Sequence, residues 1–379
     1  MANPKPRVLV LYGGQSPEHA VSCVTAAGVL KAIDTSLFEV IPVGITPTGE
    51  WTVPSEDPKD YSFQEQGELP EVRSGGPTVL LNPGVNGAKG RQAELLTIHP
   101  DGTYTSLGLV DVVFPLLHGP FGEDGTLQGY LEMVGLTYVG AGVLASAMGM
   151  DKQYMKVAFE SAGLKVGPYK TITAKEWATD SAACLDSLRE LELPLFVKPA
   201  RGGSSVGITR VDQWSQLEEA IVAAQQHDPK VIVEHGINGR EIECGVLGSP
   251  GNAPARASLC GEIIVEEDTD TQQFYDFTAK YTDDSATDLA CPADLPADVS
   301  KEIQHKAIIA FNALGAEGIS RADFFYTTHG DVIINEVNTM PGFTPISMYP
   351  KMWETTGLPY PALISELITL AMKRPTRLR

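Results

Sequence analysis

Apolar residues near the N-terminus form short, nearly continuous runs that end in glycine. Residues 7–12 (RVLVLY) form the first run, which is typical of a strand buried in a parallel sheet. After Gly13 and Gly14, the segment Ser16-Pro17-Glu18 is predicted to begin a helix, with Ser16 as N-cap and proline in the first turn. A second apolar run covers residues 38–45. This order predicts an α/β domain with an open parallel sheet, whose ligands lie at the carboxyl ends of the strands.

The same pattern returns at residues 110–117, after a segment rich in proline, glycine and charge. That segment, residues 46–107, predicts a hairpin-bearing excursion without assigned chemistry. The run at 110–117 ends in the loop HGPFGEDG, and a helix is predicted over residues 126–134. His118 thus follows a buried strand, where it can orient a ligand or serve as a structural loop histidine.

Residues 140–145 (GAGVLA) fit the GxGxxG/A fingerprint of dinucleotide-binding proteins, so a nicotinamide-dependent dehydrogenase is one alternative. A single helical stretch is predicted over residues 143–162. The fingerprint requires an acidic residue at the end of the next strand, to bind a ribose. That strand, predicted at residues 166–172, has no carboxylate near its end, so the match is weak.

A glycine-rich loop joins two predicted antiparallel strands in the middle of the chain. It covers residues 199–207 (PARGGSSVG), between the strands at 195–198 and 208–211. The loop therefore differs from the Walker loop, which lies between a strand and a helix. Ser204, Ser205 and free backbone N–H groups can cover phosphates, and Lys198 at the strand end can reach one. The alternative is an ordinary turn.

Three further segments contribute candidates. Glu234 ends the apolar run at residues 231–234, where it can bind a ribose or be a solvated cap. The aromatic segment 274–281, which includes Lys280 and Tyr281, predicts either a lid over a site or a packed loop. Amphipathic patterns predict helices over residues 300–314 and 360–372.

Two alternating apolar runs, residues 322–326 and 332–337, flank a polar cluster and predict a β-hairpin. A two-residue loop at 329–330 pairs Asp323 with Glu336, and a loop at 330–331 pairs Asp323 with Asn338. Because strand side chains alternate with period two, either register puts Arg321, Asp323, Glu336 and Asn338 on one face. An odd-length loop or a bulge would disturb this arrangement.

Two carboxylates on one face repel each other unless a cation lies between them. Asp323, Glu336 and Asn338 offer hard oxygen ligands, which suit Mg²⁺ or Mn²⁺ better than zinc. So few protein ligands leave coordination positions for water and phosphate oxygens, as in phosphoryl-transfer sites. The alternative is a solvated acidic strand face.

Composition limits the classes of function. The chain has 379 residues, 43% of them hydrophobic, and a net charge of −20, which argues against nucleic-acid or anionic-membrane binding. The N-terminal apolar run is too short for a secretory signal, and no run reaches the roughly 18 apolar residues of a membrane helix. Five scattered cysteines without CxxC spacing predict reduced thiols in a cytoplasmic protein.

Several strings, in order along nearly the whole chain, resemble the ATP-grasp ligases and, among them, the D-alanine:D-alanine ligase family. They are GGQSPEHAVS (13–22), HGPFGEDGTLQG (118–129), GMDKQYMK (149–156), FVKPARGGSSVG (196–207), VEHGINGREIECG (233–245), FYDFTAKY (274–281), RADFF (321–325) and INEVNTMPGFTPIS (334–347).

The resemblance implies an N-terminal open parallel α/β domain, at residues 1–145, that binds substrate. A two-domain ATP-grasp of α+β character follows, with a central lid domain at 146–240 and a catalytic domain at 241–379 that carries the metal hairpin. It also implies a homodimer with D-alanine and ATP as substrates, acting in peptidoglycan precursor synthesis.

The resemblance implies four sets of site residues. The catalytic set is Glu18, Ser204, Tyr281, Arg321 and the backbone of Gly342. The ATP-binding set is Lys152, Lys198, Ser205, Glu234, His235, Ile237, Glu241, Lys280 and Phe325. The D-alanine-binding set is Glu18, Val21, His118, Ser347 and Met348. Two Mg²⁺ or Mn²⁺ ions are implied on Asp323, Glu336 and Asn338, with Glu336 bridging.

The implied chemistry has two steps. ATP phosphorylates one D-alanine carboxylate, and the amine of a second D-alanine attacks the resulting acyl phosphate. Metals and lysines neutralise the transferring phosphoryl group, Arg321 and a backbone N–H stabilise the tetrahedral oxyanion, and a lid excludes water.

Two departures from the family pattern stand out. His235 replaces a common lysine, which leaves the adenine contacts open, and Met340 replaces a serine, which affects packing. A D-alanine:D-lactate ligase is the nearest alternative, and Tyr281 argues against it. A non-catalytic ATP-binding protein of the same fold is another alternative, against which the intact set of Arg321, Asp323, Glu336 and Asn338 argues.

Overall fold

A computed structural model of the chain describes residues 4–63, 69–87, 90–99, 101–248, 253–265 and 287–374. Within them the strands are β1 Arg7–Gly13, β2 Glu39–Ile45, β3 Trp51–Thr52, β4 Thr78–Gly87, β5 Gly90–Ile98, β6 Tyr104–Val110, β7 Val112–Pro115, β8 Thr137–Tyr138, β9 Tyr169–Thr173, β10 Leu195–Pro199, β11 Thr209–Val211, β12 Lys230–His235, β13 Gly239–Leu247, β14 Arg256–Val265, β15 Thr287–Ala290, β16 Ile319–Thr327 and β17 Val332–Asn338. The helices are α1 His19–Ala32, α2 Thr126–Val134, α3 Val143–Met150, α4 Lys152–Ser161, α5 Ala174–Thr179, α6 Ser181–Ser187, α7 Leu217–Gln225, α8 Ala297–Ala313, α9 Met348–Thr355 and α10 Tyr360–Met372.

The N-terminal sheet has the strand order β6-β5-β4-β3-β2-β1-β7-β8. Strands β2, β1, β7 and β8 are parallel, which confirms the predicted α/β class. On the other side of β2, strands β3 to β6 extend the same sheet in antiparallel fashion. The segment predicted as an excursion is therefore part of the sheet, because its short strands continue the hydrogen bonding of β2.

The first helix begins later than the sequence predicts. Helix α1 starts at His19, and its N-cap is Glu18 rather than Ser16. Residues 16–18 form a turn instead, in which the Ser16 hydroxyl accepts a hydrogen bond from the Glu18 N–H at 3.1 Å. The backbone N–H of His19 also bonds to the Ser16 carbonyl oxygen, at 3.1 Å. The turn moves the helix start two residues along the chain and makes Glu18 the N-cap residue.

Strand β1 is buried on both faces, and each face has its own core. Val8 and Val10 belong to a cluster with residues of α1 and the C-terminal helix α10. Leu9 and Leu11 belong to another cluster, with Leu127 and Leu131 of α2. Beyond α10, Arg374 donates hydrogen bonds to the carbonyl oxygens of Tyr138 (3.1 Å) and Gly140 (3.0 Å). The two ends of the chain therefore share one core.

The middle sheet has the order β11-β10-β12-β9 and is antiparallel. The glycine-rich loop lies between β10 and β11, which confirms the predicted location. The helix predicted over residues 143–162 is two helices, because Asp151 leaves the helical conformation. Its side chain caps α4 by accepting hydrogen bonds from the N–H groups of Gln153 and Tyr154.

The third sheet has the order β15-β14-β13-β16-β17, and its last two strands form the predicted hairpin. Asp323 pairs with Glu336, and Arg321 pairs with Asn338. The loop has three residues, 328–330, rather than two, and Gly330 adopts a φ of 86°. A bulge between β17 residues 334 and 336 adds one more residue and restores the register. The two irregularities cancel, so all four polar side chains share one face.

Among the described residues, no helix is long and apolar enough to cross a membrane. All five cysteines are free thiols, as expected. The division into domains at 145/146 and 240/241 stays a prediction.

Candidate active site

A cavity of about 920 Å³ lies between the three sheets. Most of the residues that the sequence singled out line it, although they come from distant parts of the chain. These residues are Glu18, His118, Lys152, Lys198, Ser204, Ser205, Glu234, His235, Ile237, Glu241, Arg321, Asp323, Phe325, Glu336, Asn338, Gly342, Ser347 and Met348. Val21 lies outside the lining, fully buried within α1, and Val24 of the same helix lines the cavity instead. Lys280 and Tyr281 lie outside the described residues.

The polar face of the hairpin is held by cations of the chain itself. Arg321 binds both oxygens of Asp323, with Nε–Oδ1 and Nη2–Oδ2 distances of 2.7 Å each. The Asn338 amide donates to Asp323 Oδ2 at 2.9 Å, and Lys152 Nζ lies 3.2 Å from Glu336 Oε2. Burial alone would lower the pKa of Arg321, but Asp323 and Glu243 raise it. The guanidinium therefore stays charged.

The donor atoms on this face fit hard divalent cations. Two carboxylates and one side-chain amide line the cavity here, and Mg²⁺ takes oxygen ligands while keeping several waters. No group of three His, Cys, Asp or Glu side chains in the described ranges is arranged to hold a metal by itself. The site can thus supply only part of a coordination shell, as phosphate-bridged metal sites do.

Glu234, on β12 of the middle sheet, is bound by two lysines. Its carboxylate lies 2.5 Å from Lys198 Nζ and 2.8 Å from Lys156 Nζ. Burial alone would raise the pKa of Glu234, but the two ammonium groups hold it well below its usual range. Lys156, only 3% exposed, was missed by the sequence reasoning. Its spacing of four residues from Lys152 places both on one face of α4, which was the available signal.

The glycine-rich loop reaches across the cavity to the N-terminal domain. Ser204 and Ser205 both have left-handed backbone angles, with φ of 49° and 58°. This conformation turns the Ser204 hydroxyl toward Glu18, to which it donates a hydrogen bond. Lys152 Nζ also donates to the Gly202 carbonyl oxygen, at 3.1 Å. The loop is therefore attached both to α1 and to the helix that carries Lys152.

His118 and Glu123 hold the backbone of Met340 from opposite sides. Glu123 accepts hydrogen bonds from the N–H groups of Gly119 (2.8 Å) and Met340 (2.9 Å). His118 Nδ1 lies 3.2 Å from the Met340 carbonyl oxygen, so Nδ1 is the protonated nitrogen. Burial, and then the charge of Glu18, raises the pKa of Glu123 to about 8. Burial lowers the pKa of His118. The sequence reasoning missed Glu123, although it stands in one of the matching strings.

The segment after Asn338 ends at the N-terminus of α9. Ser347 is the N-cap residue, and its hydroxyl lies 2.7 Å from the Thr344 hydroxyl. A helix N-terminus that faces a cavity favours an anionic group such as a carboxylate. Met340 is buried in the core shared by the chain ends, as expected for a packing residue.

His235 Nδ1 donates to the Glu192 carbonyl oxygen at 2.7 Å.

One more buried carboxylate lines the cavity. Glu243 is opposite Asp323 on the neighbouring strand β13, and its Oε1 lies 3.2 Å from Arg321 Nε. The sequence does not single out Glu243. The available signal was its spacing of two residues from Glu241, which puts both side chains on the same face of a strand.

Comparisons with known proteins agree with this geometry. A family model described as "D-ala D-ala ligase N-terminus" matches residues 7–141, and one described as "D-ala D-ala ligase C-terminus" matches residues 158–369. The chain belongs to the D-alanine–D-alanine ligase family. Its fold is accordingly that of this family, a parallel α/β sheet followed by the antiparallel sheets of an ATP-grasp. This membership overturns the dehydrogenase alternative based on residues 140–145.

Full-length relatives support the family assignment. The chain is 55% identical to a D-alanine–D-alanine ligase of Arthrobacter sp. (strain FB24), covering 99% of this chain and 96% of the relative. It is 50% identical to one of Kineococcus radiotolerans, covering 100% of both chains.

Solved structures of the ligase family match as well. The D-alanine-D-alanine ligase from Coxiella burnetii superposes with a TM-score of 0.76 at 34% identity, covering 97% of this chain and 94% of that one. The VanG D-Ala:D-Ser ligase from Enterococcus faecalis has a TM-score of 0.77, also at 34% identity, covering 97% and 100%. Family members thus differ in the second substrate.

Proposed function

We propose that this chain joins two D-alanine molecules into D-alanyl-D-alanine, using ATP and releasing ADP and phosphate. The observation that carries the proposal is one cavity in which the acidic hairpin, a lysine pair and a glycine-rich loop meet Glu18 and the N-terminus of α9. The full-length relatives named as D-alanine–D-alanine ligases, at 50–55% identity, support the same reaction.

The nucleotide side binds ATP between the middle and third sheets. Lys152 and Lys198 bind its phosphates, and Ser205 and the loop backbone cover them. Glu234, Glu241, His235, Ile237 and Phe325 form the adenosine slot. In this proposal Glu234 also holds Lys198 and Lys156 in place, which fits its two ion pairs.

The first D-alanine lies near Glu18 and His118, with its ammonium toward the Glu18 carboxylate. Its carboxylate oxygen attacks the γ-phosphorus of ATP, the bond to the β-phosphate oxygen breaks, and D-alanyl phosphate and ADP form. Two divalent ions on Asp323, Glu336 and Asn338 would neutralise phosphate charge during this transfer. Lys152 and Lys198 add positive charge from the chain itself.

The second D-alanine binds with its carboxylate at Ser347, Met348 and the N-terminus of α9. Its neutral amine attacks the acyl carbon, and the resulting oxyanion accepts hydrogen bonds from Arg321 and the Gly342 N–H. Phosphate leaves, the amine proton passes to solvent or phosphate, and the amide bond remains. The bond between Ser204 and Glu18 keeps the loop over the intermediate, which would otherwise hydrolyse. The roles of Tyr281 and Lys280 in the lid remain part of the proposal.

The proposal includes a homodimer, a cytoplasmic location and a place in peptidoglycan precursor synthesis, as in the sequence-based expectation. The dimer is testable by light scattering, where a mass near that of one chain would contradict it.

ADP and dipeptide formation test the activity directly. ADP is measured with ATP, with and without D-alanine and Mg²⁺, and the products are separated for D-alanine, D-serine and D-lactate as second substrates. We expect ADP only when both D-alanine and Mg²⁺ are present, with one dipeptide for each ADP. Dominant incorporation of D-lactate or D-serine at neutral pH, or ADP formation that ignores D-alanine, would overturn the assignment.

A further inference from the structure

Glu243 has no role in the proposed function, yet it lies in the cavity wall. It is 4% exposed, and its Oε1 lies 3.2 Å from Arg321 Nε. Burying a carboxylate costs several kcal/mol unless a cation compensates it, so such a group is retained only with a strong partner. Arg321 is that partner, and the ion pair lies beside the predicted reaction centre.

Arg321 is shared between two carboxylates. Asp323 uses both of its oxygens on the guanidinium, and one of them also accepts a bond from Asn338. These are the oxygens that the proposed function assigns to divalent ions. A carboxylate that ligates a divalent cation binds a guanidinium less strongly, because its charge is already neutralised. Glu243 is outside the proposed ligand set, so no metal ion competes with Arg321 for its carboxylate.

The surroundings of Glu243 strengthen its interaction with Arg321. Gly261 pairs with Glu243 across β13 and β14, and the Met348 side chain fills the space that a Cβ at position 261 would occupy. The thioether therefore lies over the strand position that pairs with Glu243, on the side away from Asp323. An ion pair with an apolar neighbour is less screened by water than one at the surface.

We infer that Glu243 is a positioning residue, which holds Arg321 at the oxyanion while Asp323 is occupied by its proposed metal ligand role. This inference rests on the proposed function. It assigns Glu243 to the second chemical step, in which the oxyanion forms, and gives it no contact with substrate. Removing its charge should slow amine attack more than phosphoryl transfer.

The test compares Glu243→Gln and Glu243→Ala with the unmodified protein. We expect the kcat for dipeptide formation to fall about 10- to 100-fold, while the KM for ATP changes less than about threefold. Slower amine attack lengthens the lifetime of the acyl phosphate, so more of it is hydrolysed by water. The protein should then release more than one phosphate for each dipeptide formed. A phosphate-to-dipeptide ratio that stays at one, with an unchanged kcat, would overturn the inference.

Glu262→Gln is the matched control. Glu262 is also a buried carboxylate with an arginine partner, at 2.7 Å from Arg240 Nε, but it lies on β14 outside the cavity lining. It should lose a similar amount of stability in thermal unfolding and keep its kcat. Equal loss of kcat in both variants would identify a general effect of breaking a buried ion pair and refute a special role of Glu243.

Two further readouts separate positioning from metal ligation and from folding. Mn²⁺ binding in the presence of ADP, followed by electron paramagnetic resonance, should change less than about threefold in Glu243→Gln and far more in Asp323→Asn. Equally weakened Mn²⁺ binding in both variants would show that Glu243 is a metal ligand, and would refute the inference. In an Arg321→Ala background, Glu243→Gln should cost less than about threefold in addition, because the residue acts through Arg321. A fully additive loss would contradict it.

The inference and the proposed function fail in different ways. If the unmodified protein makes no dipeptide, the proposed function fails. If the unmodified protein makes dipeptide and Glu243→Gln retains its rate and its phosphate-to-dipeptide ratio, only the inference fails.

Discussion

Glu123, in the loop after β7, accepts a hydrogen bond from the backbone N–H of Met340, which is 217 positions further along the chain. His118 binds the carbonyl oxygen of the same residue at 3.2 Å. The two loop residues that follow β7 of the N-terminal sheet thereby fix both backbone polar groups of Met340, between Asn338 and Gly342. The turn that would carry the oxyanion donor is thus positioned by a loop that follows a strand of the N-terminal sheet.

Replacing Glu123 should disturb catalysis without much effect on nucleotide binding. In Glu123→Ala the Met340 N–H loses its partner, so the following turn can shift relative to the hairpin. We expect kcat to fall about 10- to 100-fold and the KM for D-alanine to rise, with an unchanged KM for ATP. Steady-state kinetics with each substrate varied in turn checks this.

Asp124→Asn provides the control in the same loop. Asp124 accepts hydrogen bonds from the N–H groups of Phe121 in the loop and of Thr126 at the start of α2, both close in sequence. Its loss should therefore affect stability more than kcat. A loss of kcat as large as that of Glu123→Ala would show that the contact with Met340 is not decisive.

Lys156 should help Lys198 to bind ATP, because it shares the charge of Glu234 with Lys198. In Lys156→Met, Glu234 keeps only Lys198 as a charged partner and binds it more tightly, so less positive charge is free for the phosphates. We expect the Kd for ATP, measured by calorimetry, to rise about tenfold or roughly 1.4 kcal/mol. Lys170→Met is the control, since Lys170 pairs with the exposed Glu190. An unchanged Kd in Lys156→Met would refute this role.

Glu234 should make the protein sensitive to acid. Its pKa in the folded state is well below the usual value of 4.5, so below pH 4.5 the unfolded state binds more protons than the native state. The contribution of the Glu234 charge to the free energy of unfolding is therefore present above pH 4.5 and is lost as the pH falls below that value. Between pH 4.5 and pH 3 the loss from this group should approach about 2 kcal/mol.

Urea unfolding of Glu234→Gln and the unmodified protein at pH 6, 4.5 and 3 measures this difference. The variant should be less stable at pH 6, because two buried lysines lose their counter-charge. It should also show a shallower decline below pH 4.5. Parallel declines would contradict the assigned direction of the pKa shift.

Glu336→Gln should abolish turnover and leave the fold intact. Glu336 contributes a carboxylate to the hairpin face and nothing to the core, so thermal unfolding should change little while kcat falls at least about 1000-fold. Chelation of divalent ions should give the same loss in the unmodified protein, reversed by adding Mg²⁺. Asp331→Asn, at the tip of the same hairpin and paired with the exposed Lys165, should remain active. Near-normal activity of Glu336→Gln would remove the metal assignment.

The sequence predicted the face of the hairpin correctly for an incomplete reason. Alternation requires an even loop, but the turn has three residues and the bulge near Asn335 corrects the register. Neither irregularity has a strong sequence signature, because Gly330 is compatible with both loop lengths. The shared face could be predicted because each strand carries two polar residues at alternate positions, Arg321 and Asp323 on β16 and Glu336 and Asn338 on β17. The path of the backbone between the strands could not.

The missed residues share one physical property. Lys156, Glu123 and Glu243 are buried or half-buried ionisable groups with a partner far away in sequence. These partners are Asn335 and Glu234 for Lys156, Met340 for Glu123, and Arg321 for Glu243. Local patterns indicate which strand or helix face a side chain occupies, but they contain no information on the partner across the cavity. The late start of α1 has the opposite cause, since a local turn at Ser16 competes with the helix cap.

The shared core of the two chain ends affects how the protein is made. A ribosome releases Val8 and Val10 long before it releases Leu363, Leu367 and Arg374, which cover the same face of the N-terminal sheet. During synthesis this face of the sheet is therefore only partly covered, by α1, until the last helix α10 has been made. Nascent chains that stop before α10 should for this reason be preferred clients of chaperones that bind exposed apolar surface.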